Sequence, residues 1–216
     1  MMSEENDTLG ISLNQENSFL FGHDKQISFL LDRLRTSQIP NAWLFHGPIG
    51  VGKSSLALNV GKVLSNIDFS KKNHVLSISE QDIRSPKTTV NISNVFYCRR
   101  RWDNKKKLFQ KYISIEDIRE LNRKFSLSST DNSYKVCVVD TTEDLNISAA
   151  NSLLKILEEP PKNTLFILVS NNQQSILPTI LSRCQKVGFQ RLNEKNLRDI
   201  YASLLKENEV EQIIDA

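Results

Sequence analysis

The sequence predicts a three-layer α/β domain on a five-stranded parallel sheet, followed by the start of a second, helical segment. Three observations carry this. Short unbroken apolar runs alternate with helical stretches, and strands apolar on both faces belong to parallel sheets covered on both sides. A glycine-rich segment joins the first such run to a helix. The composition, 39% hydrophobic and 25% charged over 216 residues, suits a folded chain with its own core.

The elements follow in chain order. Residues 1–17 are polar and acidic and read as a flexible lead. Asp24 to Arg35 carries Ile27, Leu30, Leu31 and Leu34 at helical spacing, one apolar face. Ala42–His46 (AWLFH) is a buried strand with Trp43 in the core, and 54–64 is helical. Residues 67–90 are polar, without a period, and contain Ser85-Pro86, so they read as an insertion or loop. Val95–Cys98 is the second strand. Ser114-Ile-Glu-Asp117 is a capping-box start to a helix whose apolar face is Ile115, Ile118, Leu121 and Phe125. Val136–Asp140 (VCVVD) is a strand ending in a carboxylate. Asn146 to Glu159 is a helix stopped by Pro160-Pro161. Leu165–Ser170 and Gln185–Phe189 complete the sheet. Asn193–Leu205 reads as the first helix of something new, placing the first domain at 18–191 and the start of a second at 192–216.

Several function classes drop out. No apolar run approaches the roughly 20 residues of a membrane helix, and MMSEENDTLG lacks the basic and apolar regions of a secretory signal. Cys98, Cys137 and Cys184 lie far apart and form no disulfide framework, which fits a reducing cytoplasm. With no CxxC pair and no ligand spacing among His23, His46 and His74, no zinc is expected.

The sharpest local signal is Gly47-Pro48-Ile49-Gly50-Val51-Gly52-Lys53-Ser54, a full G-x-x-x-x-G-K-[ST] match between a strand and a helix, with Ser55 next. Gly47, Gly50 and Gly52 allow positive φ and close approach of an anion. Backbone N–H groups and the helix N-terminus then face a phosphate. Lys53 supplies a charge for the β/γ oxygens and Ser54 a hydroxyl for Mg²⁺. Asp140, ending another strand, suits the second metal position. A bare Gly-rich turn and an ordinary strand-end Asp are the structural alternatives. A second signal is 99–111, where seven bases (Arg99, Arg100, Arg101, Lys105, Lys106, Lys107, Lys111) face one acid, Asp103, with Trp102, Phe109 and Tyr112 interleaved or adjacent. That chemistry suits DNA phosphates, and a solvated hairpin or loop is the bland alternative.

Four segments carry a family resemblance: FGHDKQISFLLDRL, IPNAWLFHGPIGVGKSSLA, VVDTTEDLNISAANSLLKILEEPP and LFILVSNNQQSILPTILSRC. Together, from Leu20 to Leu205, they resemble the delta-prime subunits of the bacterial DNA polymerase III clamp loader, within the AAA+ group. The resemblance implies a nucleotide site of Gly47, Pro48, Ile49, Gly50, Val51, Gly52, Lys53, Ser54, Ser55 and, at the sensor 1 position, Asn171. It implies ATP or ADP as ligand, with Mg²⁺ on Ser54 and Asp140. It makes Arg183, in Ser182-Arg183-Cys184, an arginine finger reaching a neighbouring subunit's nucleotide. The implied partners are an ATPase subunit and a delta subunit, with the sliding clamp and primer-template DNA reached through the assembled complex.

Three departures qualify the resemblance. Thr141 stands where active AAA+ enzymes place a glutamate after the strand-end Asp, so nucleotide binding with little or no hydrolysis is expected. Glu143 lies two residues on and, if the strand continues, points the same way as Thr141. The four-cysteine zinc module of some relatives is replaced by 99–111. Family members continue through a full lid, home of the sensor 2 arginine, into a collar; this chain ends at Ala216, within the lid. The rival readings are a self-sufficient AAA+ ATPase, motor or remodeller, for which an acid at 141 is expected, and a P-loop kinase, which gives LEEPP and SRC no purpose.

Overall fold

The computed structural model describes residues 20–36, 38–67, 77–86, 94–126 and 134–203. The expected lead at 1–17 lies outside them. The elements are α1 (Asp24–Arg35), β1 (Ala42–His46), α2 (Lys53–Ser65), α3 (Glu80–Arg84), β2 (Val95–Cys98), β3 (Trp102–Asp103), β4 (Leu108–Phe109), α4 (Ile115–Ser126), β5 (Lys135–Asp140), α5 (Ile147–Glu158), β6 (Thr164–Ser170), α6 (Pro178–Leu181) and β7 (Gln185–Gly188). Short 3₁₀ turns follow β5 (Thr142–Asp144) and β6 (Gln173–Ser175). A helix at 194–203 follows β7.

Five strands form one parallel sheet in the order β2-β5-β6-β1-β7. Alternation along the strands divides the core in two. Trp43, Phe45, Val136, Val138, Leu165, Ile167 and Val169 face α1 and α2. Ala42, Leu44, Cys137, Val139, Phe166 and Leu168 face α4, α5 and α6. All seven residues of β6 are buried, as a central strand covered on both faces must be. The three-layer α/β fold expected from the sequence is the fold observed. Ile27, Leu30, Leu31 and Leu34 of α1 are buried, and Phe29 is half-buried against the same core. Gly61 of α2 sits against β2 and β5, where an added Cβ would stand 3.2 Å from Val95 Cγ1.

The sequence reading needs three corrections. The insertion over 67–90 is not loop throughout: α3 forms because Ser79 and Asp82 close a capping box, with Ser79 N donating to Asp82 Oδ2 at 2.8 Å. Its Arg84 donates to Leu20 O and Gly22 O and pairs with Asp24, anchoring the insertion to the start of α1. On α4 the capping box holds, with Ser114 N donating to Asp117 Oδ2 at 2.7 Å, but Ile115 is only half-buried and Ile113, just before the helix, fills the core position. Finally, β5 stops at Asp140 and a 3₁₀ turn re-aims Glu143, which therefore does not follow Thr141 in strand alternation.

Candidate functional site

The order of the sheet decides where chemistry can occur. The connections diverge at β1: the chain leaves it for β2, on the side of β5 and β6, and later crosses from β6 to β7 on its other side. The carboxyl ends of strands at such a switch point form a crevice. Gly47–Gly52 leaves β1 there, Asp140 ends β5 and Asn171 follows β6.

The loop takes the conformation its glycines permit, with φ of 149° at Gly47, 78° at Gly50 and 98° at Gly52. Gly47 has no room for a side chain: a Cβ would stand 2.4 Å from Phe189 O, a backbone atom fixed by the Phe189 N–H donating to His46 O at 2.7 Å. Gly47→Ala is expected to cost about 2 kcal/mol or more, read as a fall of several degrees in Tm; an unchanged Tm would show that the loop can move away. At Gly50, by contrast, a Cβ meets nothing within 4 Å. Ile49 is 82% exposed at the loop tip.

Lys53 opens α2 and is 3% exposed. Its ammonium donates to Gly47 O (2.9 Å), Pro48 O (2.5 Å) and Asn171 Oδ1 (2.9 Å). Burial lowers its pKa, and the charges of Asp140 and Glu143 oppose that shift. Ser54 is half-buried beside it and Ser55 is exposed. Asp140 Oδ2 accepts from the Tyr97 hydroxyl, and the Ser54 side chain reaches that same hydroxyl. Burial, then the neighbouring Asp140 charge, pushes the Tyr97 pKa up, so Tyr97 is a neutral donor. The structure thus gathers Gly47 to Ser55, Asp140 and Asn171 at one crevice.

Two residues join this crevice that sequence reasoning did not place there. Tyr97, on edge strand β2, ties Ser54 to Asp140; the parallel register Tyr97↔Val138 sets it beside β5, and no motif marks it. Glu143 Oε1 accepts from Asn171 N at 2.7 Å, linking the turn after β5 to the end of β6, while its Oε2 is buried with no hydrogen-bond partner among the described residues. The signal that could have found Glu143 is TED itself, whose short polar side chains favour a turn over a continued strand. Thr141 spends its hydroxyl on Asp144 Oδ2 at 3.0 Å.

The donor set fits a magnesium nucleotide. A buried ammonium, glycine backbone with positive φ and a helix N-terminus suit phosphates. Ser54 and Asp140 offer the hard oxygens Mg²⁺ prefers.

Arg183 is elsewhere. It precedes β7, whose Gln185 pairs with Trp43 at the start of β1, whereas the loop leaves the end of β1. The length of the sheet, about 3.3 Å per residue, separates them. Arg183 donates to Thr179 O and Glu158 Oε1, both at 2.8 Å.

His23 braces the loop from behind: Nε2 donates to Val51 O at 2.5 Å and the ring packs edge-on against Phe189. Burial lowers its pKa from 6.5, as it does for His46, and nearby Arg84 and Lys53 act in the same direction on His23. The unfolded chain therefore takes up more protons, and stability falls as pH drops below about 6.5, levelling beneath the folded value. Thermal melts between about pH 7 and pH 5 are expected to show this fall, and His23→Gln is expected to reduce it; an identical slope in the variant would remove His23 as the cause.

Burial also pushes the thiols of Cys98 and Cys184 up to about 12, so neither is a ready nucleophile.

Comparison with known proteins bears on the family and the fold. The family described as "DNA polymerase III, delta subunit" matches residues 22–193. DNA polymerase III subunit tau of Bacillus subtilis is 30% identical over 174 residues, 81% of this chain and 29% of that protein. Subunit delta' of the same organism is 38% identical over 87 residues, 40% of this chain and 26% of that protein. The chain therefore spans less than a third of either relative. Among solved structures, a gamma subunit-related protein from Thermotoga maritima superposes with a TM-score of 0.54 at 23% identity, over 81% of this chain and 48% of that one. A RuvB of Thermotoga maritima gives 0.52 at 16% identity, over 86% and 52%. This chain belongs to the DNA polymerase III delta subunit family and is homologous to the gamma/tau and delta' subunits of that polymerase.

Proposed function

We propose that the chain acts as a delta-prime-type subunit of a cytoplasmic clamp loader in DNA replication. It binds ATP or ADP with Mg²⁺ at Gly47–Ser55, Asp140 and Asn171, turns it over slowly or not at all, and supplies Arg183 to the nucleotide of a neighbouring ATPase subunit. A delta subunit is the other protein partner. Sliding clamp and primer-template DNA are reached through the assembly, and 194–203 is the first helix of the lid.

The observation that carries this reading is the separation of the two chemistries. Arg183 precedes the start of β7, at the opposite end of the strands from the phosphate loop. An arginine finger acting in trans requires that placement, and its planar charged fork suits phosphate oxygens. Slow turnover follows from Thr141, whose hydroxyl is a poor base and is already committed to Asp144. Within the site, Lys53 meets the phosphates, Ser54 and Asp140 hold the cation, and Asn171 orients Lys53 from the end of β6.

One observation favours a self-sufficient ATPase instead: Glu143 brings a carboxylate to the crevice with one buried oxygen unpaired among the described residues. Its other oxygen is committed to Asn171 N, which favours a bracing role. Calorimetry with ATP and ADP, beside phosphate release by the same preparation, tests both readings. Binding without turnover is expected. Turnover at about 1 per second or faster, abolished by Glu143→Gln, would overturn the slow-site reading and make Glu143 the base.

A further inference from the structure

The charged run 99–111 is a built feature rather than a loose loop. β3 and β4 pair antiparallel, Trp102 opposite Phe109 and Asp103 opposite Leu108. Asp103 Oδ1 closes the turn by accepting from Lys105 N (2.9 Å) and Lys106 N (3.1 Å). The base of the hairpin is fixed to the domain: Arg100 pairs with Asp144 at 3.1 Å, and Arg101 with Asp117 and Glu120. Those ion pairs absorb two of the cations. Among the described residues, no carboxylate side chain pairs with Lys105, Lys106, Lys107 or Lys111, and all four are exposed. On the same hairpin Trp102, Phe109 and the adjoining Tyr112 are 45%, 44% and 46% exposed, an unusual outlay of aromatic surface. Cations stand over these rings: Arg99 at 5.8 Å from the Phe109 centroid and Lys111 at 5.1 Å from that of Tyr112.

We propose that this hairpin is a direct contact for single-stranded DNA, with lysines on the phosphates and Trp102, Phe109 and Tyr112 on the bases. Charge complementarity selects a polyanion. Protein interfaces are depleted in lysine, and the unpaired cations here are lysines, point charges suited to phosphate. Exposed ring faces add affinity only where bases are unstacked, which selects a single strand over a duplex. The contact needs no nucleotide at the phosphate loop, so it stands or falls separately from the function proposed above.

The test is fluorescence anisotropy of a labelled oligothymidylate titrated with the whole chain, without ATP, across a salt series. Wild type is expected to bind the oligomer more tightly than a duplex of equal length. Lys105→Gln/Lys106→Gln/Lys107→Gln is expected to make the log K against log salt slope shallower by about 2, at roughly 0.7 per phosphate contact. Trp102→Ala is expected to weaken binding about tenfold with the slope unchanged, since stacking is not ionic. Circular dichroism checks that both variants are folded. No binding by wild type at about 50 mM salt, a preference for duplex, or an unchanged slope in the triple variant overturns the proposal. If the triple variant binds DNA as wild type but no longer associates with partner subunits, the hairpin is a protein interface and the proposal fails.

Discussion

Lys53→Ala is expected to abolish nucleotide binding while leaving the chain folded. The ammonium is the one full positive charge held inside the phosphate loop, by Gly47 O, Pro48 O and Asn171 Oδ1. A hydrogen bond to a charged group contributes about 1.5–3 kcal/mol, and the lysine of such a loop makes more than one with the β/γ oxygens. Two such bonds put the loss at about a hundredfold or more in Kd. The substitution also leaves Asp140 and Glu143 without their neighbouring cation, so some stability is lost, about 1–3 kcal/mol. Lys53→Met keeps the aliphatic stem packed and separates the two effects. It should bind nucleotide no better than Lys53→Ala while recovering part of the Tm. Calorimetry and thermal melts read both quantities. Wild-type affinity in either variant would show that the loop does not hold phosphates through Lys53.

Arg183→Ala is expected to have the opposite profile. The affinity of this chain for nucleotide should not change, because Arg183 lies at the opposite end of the strands from the loop. Stability should change by less than about 1 kcal/mol, because its partner Glu158 is exposed and such pairs contribute little. The loss should appear only after assembly. Reconstituted with its ATPase partners, the variant should lower steady-state ATP hydrolysis by about 10³-fold or more at the site it serves, the range for a removed arginine finger. The weak tie to Glu158 suits this role, since a guanidinium in an exposed pair gives up little on transfer to a phosphate. Unchanged hydrolysis in the assembly refutes the finger, and loss of nucleotide binding by the isolated chain would refute the geometry behind it.

Much of the fold was legible because it depends on near neighbours in sequence. The strand cores at 42–46, 136–140 and 165–170, the helix face Ile27-Leu30-Leu31-Leu34 and the stop at Pro160-Pro161 are patterns of period, length and breaker. The phosphate loop was legible for a related reason: its chemistry is packed into eight consecutive residues, Gly47 to Ser54. The short helix Glu80–Arg84 was missed because its capping box, Ser79 and Asp82, stands without an apolar period.

By itself the sequence determined the α/β class, the glycine loop and the carboxylate-ended strand, all properties of short segments whose backbone preferences and burial are local. Only the tertiary structure decided that Tyr97 would bind Asp140, that Glu143 would turn back to Asn171, and that Arg183 would lie away from the loop it could otherwise serve. Each depends on which strands lie side by side and at which end of the strands a segment emerges. That order is set by packing two apolar layers against one sheet, a requirement no single segment contains.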